Sequence, residues 1–165
     1  MMRLHGYWRS GAVWRVRIAL HLKGIPFASV PHDLRRGDQR DPAFLALNPQ
    51  GLVPALEAEG QVLTQSLAII EWLDEVYPDP PLLPATPAQR ATVRAMAALI
   101  ACDIHPLNNL RVLKALEAEF GASPDVRRQW IARWLGAGFA ALEPMVARHG
   151  AGFAFGGTPG MADCL

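Results

Sequence analysis

The stretch that decides the fold runs from residue 48 to residue 77 and reads NPQGLVPALEAEGQVLTQSLAIIEWLDEVY. Its first half predicts two short strands, residues 52–56 and 61–63, joined by a hairpin turn at Glu59-Gly60. Its second half predicts an amphipathic helix that begins at Ser66, a residue type preferred at helix N-caps. The expected buried stripe of this helix is Ile69, Ile70, Leu73 and Val76. A hairpin that leads into a helix is typical of a sheet with helices packed on its faces.

Upstream of this stretch, strands and helices alternate. The predicted elements are strands at residues 4–8 and 25–30 and helices at about 14–22 and 43–47. The first helix is indicated by Trp14, Ile18 and Leu22, which recur every four residues, and by Gly24, which follows as a stop signal. We therefore expect residues 1–82 to form an α/β domain with the element order β-α-β-α-β-β-α.

Downstream, prolines at positions 78, 80, 81 and 84 interrupt all periodicity and indicate a linker. Beyond them the pattern predicts helices only: one over residues 87–119, bent at Pro106, and one over residues 123–149. Residues 150–160 are rich in glycine and predict a loop. The fold class is therefore α/β plus all-α, with a second, all-helical domain at residues 87–165.

Composition excludes several classes of function. The chain has 165 residues, 51% of them hydrophobic, and a net charge of +1 at pH 7. This charge indicates neither a nucleic-acid-binding surface nor a polybasic membrane anchor. No apolar run is long enough to span a membrane. Cys102 and Cys164 lack the spacing of a metal or redox motif, and a disulfide is not expected. We expect a cytoplasmic protein.

Polar residues lie where the predicted elements of the first domain meet. Ser10, at the first strand-to-helix turn, could bind a thiolate together with neighbouring N–H groups, or could only cap the helix. A cis bond at Val53-Pro54 would turn the Val53 backbone outward to pair with an extended ligand, whereas a trans bond would give an ordinary edge strand. Gln65 and Ser66, at the start of a helix, suit an amino-acid head group with a carboxylate.

A further polar group interrupts the apolar helix predicted after the linker, and it comprises His105, Asn108, Asn109 and Arg111. A spacing of four places His105 and Asn109 on one face of that helix. Such a face could close over a ligand that the first domain binds. The alternative is a buried histidine whose hydrogen bonds are satisfied beside a proline kink.

Taken in order, four motifs resemble the zeta class of glutathione transferases. They are YWRSGAVWRVRIALHLKGIPF (7–27), NPQGLVPAL (48–56), LTQSLAIIEWL (63–73) and DIHPLNNLR (103–111). The resemblance implies a thioredoxin-like domain joined to an all-helical domain, a homodimer, and glutathione as the cofactor. The implied reaction is the cis–trans isomerisation of maleylacetoacetate to fumarylacetoacetate, through reversible addition of the glutathione thiolate. Maleylpyruvate is the alternative substrate, since both compounds present the same maleyl dicarboxylate group.

The resemblance also implies a role for each candidate residue. Ser10 matches the hydroxyl that holds the glutathione sulfur, and Arg9 matches an arginine that binds a substrate carboxylate. Val53, ahead of a cis Pro54, matches the residue that pairs with the cysteinyl backbone. The remaining implied cofactor-binding residues are Gln65 and Ser66 at the γ-glutamyl end, Gln50 near the glycyl end, and His105, Asn109 and Arg111 from the helical domain.

Two departures from the family pattern leave other functions open. Eukaryotic members often have Ser-Ser-Cys where this chain has Ser10-Gly11-Ala12, which bears on the substrate range. Family members also continue for several helices, so the helical domain is expected to be incomplete and the chain truncated. The alternatives are a general glutathione transferase that conjugates electrophiles and a non-catalytic remnant that only binds glutathione.

Overall fold

All residues from 1 to 165 are described by the computed structural model, in which the chain forms two units. The first unit comprises residues 1–84 together with 164–165, and the second comprises residues 85–163. The last two residues therefore belong with the first unit and not with the helical one. None of the helices combines the length and the hydrophobicity needed to cross a membrane.

The first unit is built on a four-stranded mixed sheet with the strand order β2-β1-β3-β4. Its strands are β1 (Met2–Gly6), β2 (Phe27–Pro31), β3 (Ala55–Ala58) and β4 (Gln61–Thr64). β1 pairs in parallel with β2 and antiparallel with β3, and β3 pairs antiparallel with β4. The predicted strand–helix–strand unit followed by a hairpin is confirmed. β1 begins and ends two residues before its predicted range, and β3 begins three residues after.

The register of the strands brings several chain segments to one edge of the sheet. His5 of β1 pairs with Ala55 of β3, which in turn pairs with Thr64 of β4. Because β1 and β4 end near this row while β3 begins there, their adjoining loops lie at the same edge. β2 runs parallel to β1 and also ends there. We call this edge the upper edge.

Three helices complete the first unit: α1 (Gly11–Leu22), α2 (Pro42–Leu47) and α3 (Ser66–Val76). α1 and α3 pack against each other. As predicted, α3 buries Ile69, Ile70 and Leu73, but Val76 in its last turn is 39% exposed. α1 buries Val13, Val16, Ala19 and Leu20, so its core-facing stripe is not the one formed by Trp14 and Ile18. Trp14 is half-exposed and donates its indole N–H to the Trp8 carbonyl at 2.8 Å.

A buried ion pair joins the C-terminal ends of α1 and α3. Lys23 donates from its ammonium to an Asp74 carboxylate oxygen at 2.9 Å and to the carbonyls of Tyr77 and Pro80 at 2.7 and 2.8 Å. The same Asp74 oxygen accepts from the Leu82 N–H at 2.7 Å. These four bonds fix the proline-rich segment that leaves α3.

The second unit contains α4 (Pro87–Ala98), α5 (Leu110–Phe120) and α6 (Pro124–His149). The prediction of one helix over residues 87–119 is wrong. A π-helical turn (Leu99–Ile104) and a 3-10 turn (Pro106–Asn108) separate α4 from α5. Pro106 lacks an N–H for a helical hydrogen bond, and Asn109 is extended at φ −64° and ψ 146°. Asn109 accepts from the Arg111 N–H and so caps a new helix.

Candidate functional site

Ser10 lies where β1 turns into α1 and is the N-cap of that helix. Its hydroxyl oxygen accepts from the Val13 N–H at 3.4 Å, and its carbonyl accepts from the Val13 and Trp14 N–H groups at 3.1 and 3.0 Å. The capping bond uses the oxygen as an acceptor only, so the hydroxyl proton remains able to donate. Capping and thiolate binding are therefore compatible at this position, and the thiolate role stays a prediction.

The Val53-Pro54 bond is cis and directly precedes β3. Strand pairing begins at Ala55, and neither the N–H nor the C=O of Val53 takes part in the backbone hydrogen bonds of the flanking turns. A half-buried residue with both backbone groups unused can pair with an extended ligand, as a strand would. The geometry supports the predicted role of Val53 without testing it.

A tight turn over residues 48–52 positions Gln50. Asn48, which is 4% exposed, donates its side-chain amide to the Leu52 carbonyl at 2.7 Å and accepts from the Gln50 N–H at 3.2 Å. The Gln50 side chain then accepts from the Gln65 amide at 2.8 Å. The structure thus brings two predicted residues together. It also reveals Asn48, whose signal was the turn-forming Asn-Pro pair.

The prediction that Ser66 is the N-cap of α3 is wrong by one residue. The N-cap of α3 is Gln65 and not Ser66, which is the first helical residue and 7% exposed. Gln65 has φ 67° and ψ 114°, a backbone conformation that residues other than glycine rarely adopt. Backbone strain of this kind clusters at ligand-binding sites. Because α3 begins directly after β4, its first-turn N–H groups and Ser66 lie at the upper edge.

Arg15 of α1 contacts the Ser66 side chain from inside the first unit. Its guanidinium Nη1 donates to Ser66 Oγ at 3.2 Å, and the arginine is 4% exposed. Sequence reasoning missed this residue because nothing in the helical pattern of α1 marks position 15 as buried.

Arg9 lies in the same strand-to-helix turn as Ser10 and is exposed. Its guanidinium carbon lies 5.6 Å from the centre of the Trp8 ring, within the range of a cation–π contact. Trp8 is 63% exposed. A positive charge is thus held at the upper edge, where a substrate carboxylate could bind.

A chain of titratable groups crosses the sheet just below the upper edge. His5 bonds His32 through Nδ1 at 2.9 Å and Glu57 through Nε2 at 2.6 Å, and Arg3 lies 3.3 Å from the same glutamate oxygen. Burial, and then the neighbouring His5, lower the pKa of His32. The hydrogen bond from His5 lowers the pKa of Glu57. No group of three or more His, Cys, Asp or Glu side chains is arranged to hold a metal ion.

His105, Asn109 and Arg111 lie in the second unit, in and just after the break between α4 and α5. The expectation that His105 and Asn109 share one helix face is wrong, because Asn109 is extended and begins α5. The Asn109 side chain accepts from the Arg111 N–H at 3.1 Å. The ligand-binding roles of these three residues stay predictions.

The donors at the upper edge fit a small peptide such as glutathione. They comprise a hydroxyl at the N-terminus of α1, the free backbone pair of Val53, the linked amides of Gln50 and Gln65, and a hydroxyl with first-turn N–H groups at α3. Backbone groups suit an extended peptide, and a helix N-terminus suits its carboxylate. The residues present therefore match the cofactor that the sequence resemblance implied.

Comparison with known sequences gives matches over nearly the whole chain. The family described as "Glutathione S-transferase, N-terminal domain" matches residues 9–76. A maleylpyruvate isomerase of Ralstonia sp. is 49% identical over 99% of this chain and 78% of its own length. A maleylacetoacetate isomerase of Pseudomonas aeruginosa is 51% identical over 98% of this chain and 76% of its own length.

Solved structures agree with these sequence matches. The holo structure of a maleylpyruvate isomerase, described as a bacterial zeta-class glutathione S-transferase, superposes with a TM-score of 0.95 at 49% identity, over 98% of this chain and 77% of its own. A maleylacetoacetate isomerase of Methylobacterium extorquens AM1 with bound malonate and glutathione has a TM-score of 0.93 at 42% identity, over 98% and 77% of the two chains. The predicted resemblance is confirmed, and the chain belongs to the zeta class of the glutathione S-transferase family.

Proposed function

We propose that this protein is a glutathione-dependent cis–trans isomerase that converts maleylacetoacetate to fumarylacetoacetate. The observation that carries the proposal is the set of peptide-binding donors at the upper edge, in a chain whose close relatives include isomerases of maleyl compounds. Maleylpyruvate is the second candidate substrate, because a relative of nearly equal identity bears that name.

The role that we propose for each residue follows from the positions of the donors. Glutathione supplies a thiol that adds reversibly to the cis double bond, so that the bond can rotate before the thiol leaves. Ser10 and the first-turn N–H groups of α1 stabilise the sulfur as a thiolate, since the positive end of a helix dipole favours an anion. Val53 pairs with the cysteinyl backbone through its N–H and C=O.

The two ends of the cofactor are bound by the segments that flank the hairpin. Gln65, Ser66 and the first turn of α3 bind the γ-glutamyl carboxylate, and Gln50 lies toward the glycyl end. The Gln50–Gln65 bond of 2.8 Å joins these two segments, so that each holds the other in place.

Arg9 binds a carboxylate of the maleyl substrate. Stacking on Trp8 keeps its guanidinium at the mouth of the site while leaving its N–H groups free to donate in pairs to a carboxylate. His105, Asn109 and Arg111 contribute from the helical unit, and the working assembly is a cytoplasmic homodimer. The zeta-class membership supports both of these parts of the proposal.

The test is the loss of absorbance of each maleyl substrate, measured with and without glutathione. Wild-type protein should show glutathione-dependent turnover of at least one of the two substrates. Retention on immobilised glutathione without turnover of either would instead identify a non-catalytic binding protein and overturn the proposal.

Arg9→Met separates isomerisation from general conjugation. It should abolish isomerisation while sparing the conjugation of glutathione to an uncharged aryl halide, because only the maleyl substrate needs a carboxylate partner. Equal loss of the two activities would indicate a general transferase.

A further inference from the structure

Two polar bonds join α1 to α3, one at each end of the packed pair. Arg15 bonds Ser66 at 3.2 Å, and Lys23 bonds Asp74 at 2.9 Å. The second pair lies eight residues beyond the first on both helices, from 15 to 23 and from 66 to 74. The helices therefore run parallel with their N-termini together, and the Arg15 bond lies at the end that faces the upper edge.

The direction of the Arg15–Ser66 bond is fixed by chemistry. A guanidinium has donors only, so the Ser66 oxygen must be the acceptor. The hydroxyl has a single proton, and that proton must point away from Arg15. Ser66 donates no hydrogen bond within the chain. The Ser66 hydroxyl therefore remains available as a donor, beside the first-turn N–H groups of α3, which lie at the upper edge.

A donor of fixed direction, placed beside a buried positive charge and a helix N-terminus, is complementary to a group that only accepts. An ionised carboxylate is such a group, and hydrogen bonds to charged groups are the stronger ones. A neutral amide or a hydroxyl would gain less, because it carries no charge to interact with the buried guanidinium.

We propose that Arg15 is a positioning residue for cofactor binding: it orients the Ser66 hydroxyl so that this group donates to the γ-glutamyl carboxylate of glutathione. Arg15 acts through Ser66 and is not in contact with the cofactor. The proposal rests on the proposed function, because it takes the γ-glutamyl end to bind at Ser66.

The competing explanation is that Arg15 only joins two helices. Lys23 offers a matched control, because it joins the same helices at the other end and is remote from Ser66. A ligand control is a glutathione analogue in which 4-aminobutyrate replaces the γ-glutamyl residue, so that the carboxylate in question is missing and the rest of the molecule is unchanged.

The experiment is isothermal titration of the intact protein with glutathione and with this analogue. Arg15→Met should weaken glutathione binding about tenfold, the loss expected for one charge-assisted interaction, and should leave the affinity for the analogue within about twofold. Arg15→Lys should restore part of the loss, because an ammonium can also donate to Ser66. Lys23→Met should lower the melting temperature while leaving both affinities unchanged.

A double mutant adds a second criterion. In a Ser66→Ala background, Arg15→Met should cause little further loss, since residues that act through one another are not additive. The inference would be overturned if Arg15→Met weakened the binding of glutathione and of the analogue equally. It would also be overturned if the effects of Arg15→Met and Ser66→Ala on glutathione affinity were fully additive. If Arg15→Met fails to fold, Arg15→Lys and Arg15→Gln give the same comparison. Wild-type protein that does not bind glutathione would overturn the proposed function itself, whereas unaltered binding by the Arg15 variants would overturn only the inference.

Discussion

Gln65 provides a test of whether the site is built at the expense of stability. Its backbone, at φ 67° and ψ 114°, lies outside the regions that residues with a Cβ favour. Strain of this kind costs about 1–3 kcal/mol. Glycine removes the strain but adds about 0.5–1 kcal/mol of chain entropy to be lost on folding. We therefore expect Gln65→Gly to be more stable than Gln65→Ala by about 1 kcal/mol.

The alanine variant is the proper reference for this comparison. Both substitutions remove the side-chain bond to Gln50, so that contribution cancels and only the backbone differs. Urea denaturation can be followed by the fluorescence of the five tryptophans. With a slope of about 2 kcal/mol per molar, a difference of 1 kcal/mol moves the midpoint by about 0.5 M.

Glutathione affinity should change in the opposite direction. Gln65→Gly should bind glutathione more weakly than Gln65→Ala, because a flexible residue no longer holds the first turn of α3 in its binding orientation. A glycine variant that is no more stable than the alanine variant would refute the strain argument. A glycine variant that is more stable and binds equally well would show that the strain serves no binding role.

Three further predictions concern the first unit. Lys23→Met should cost about 3–5 kcal/mol in thermal or urea unfolding, because it leaves a buried carboxylate without its cation; a loss below about 1 kcal/mol would contradict this assignment. Gly51→Ala should destabilise more than Gly24→Ala, since both positions have positive φ but only at Gly51 would a Cβ lie 3.0 Å from a backbone oxygen; equal losses would exclude crowding as the cause. His32 and Glu57 both have a lowered pKa in the folded protein. Each therefore stabilises the fold at a pH above its ordinary pKa, and this stabilisation is lost as the pH falls through the lowered pKa. Urea midpoints should therefore drop below about pH 6.5 and again below about pH 4.5, and His32→Gln should remove the first drop only.

The order of the elements in the first unit could be predicted because each has a local signal. The stretch from residue 48 to residue 77 combines a hairpin turn, alternating strands and a helical repeat, and these signals depend on near neighbours only. The same reasoning failed after Leu99. There Pro106 was interpreted as a bend within one helix, whereas the break depends on how Pro106 and Asn109 are accommodated.

The candidate site divides in the same way. Ser10, Gln65 and Ser66 could be located because polar residues at the starts of helices are conspicuous in sequence. The N-cap of α3 could not be predicted, because N-cap preference favours Ser66 and only the backbone angles identify Gln65. Asn48 had a local signal in the turn-forming Asn-Pro pair, and its partners lie two and four residues away. Arg15 escaped prediction because its burial depends on a partner that the local pattern does not specify. For Arg15 the partner is 51 residues away.

The position of these unpredicted residues explains how the site keeps its geometry. A helix N-terminus attracts an anion only when it points at the ligand, so the direction of α1 and α3 matters more than the loops beside them. The Arg15 and Lys23 bonds fix both ends of that helix pair, and Asn48 fixes the turn that carries Gln50. Buried polar groups that are hydrogen-bonded favour one arrangement, since any other would break these bonds in a medium of low dielectric constant. The direction of the donors at the upper edge is therefore set where the N-terminal ends of α1 and α3 meet, and a substitution that breaks the Arg15–Ser66 bond should weaken glutathione binding even though no contact with the ligand is lost.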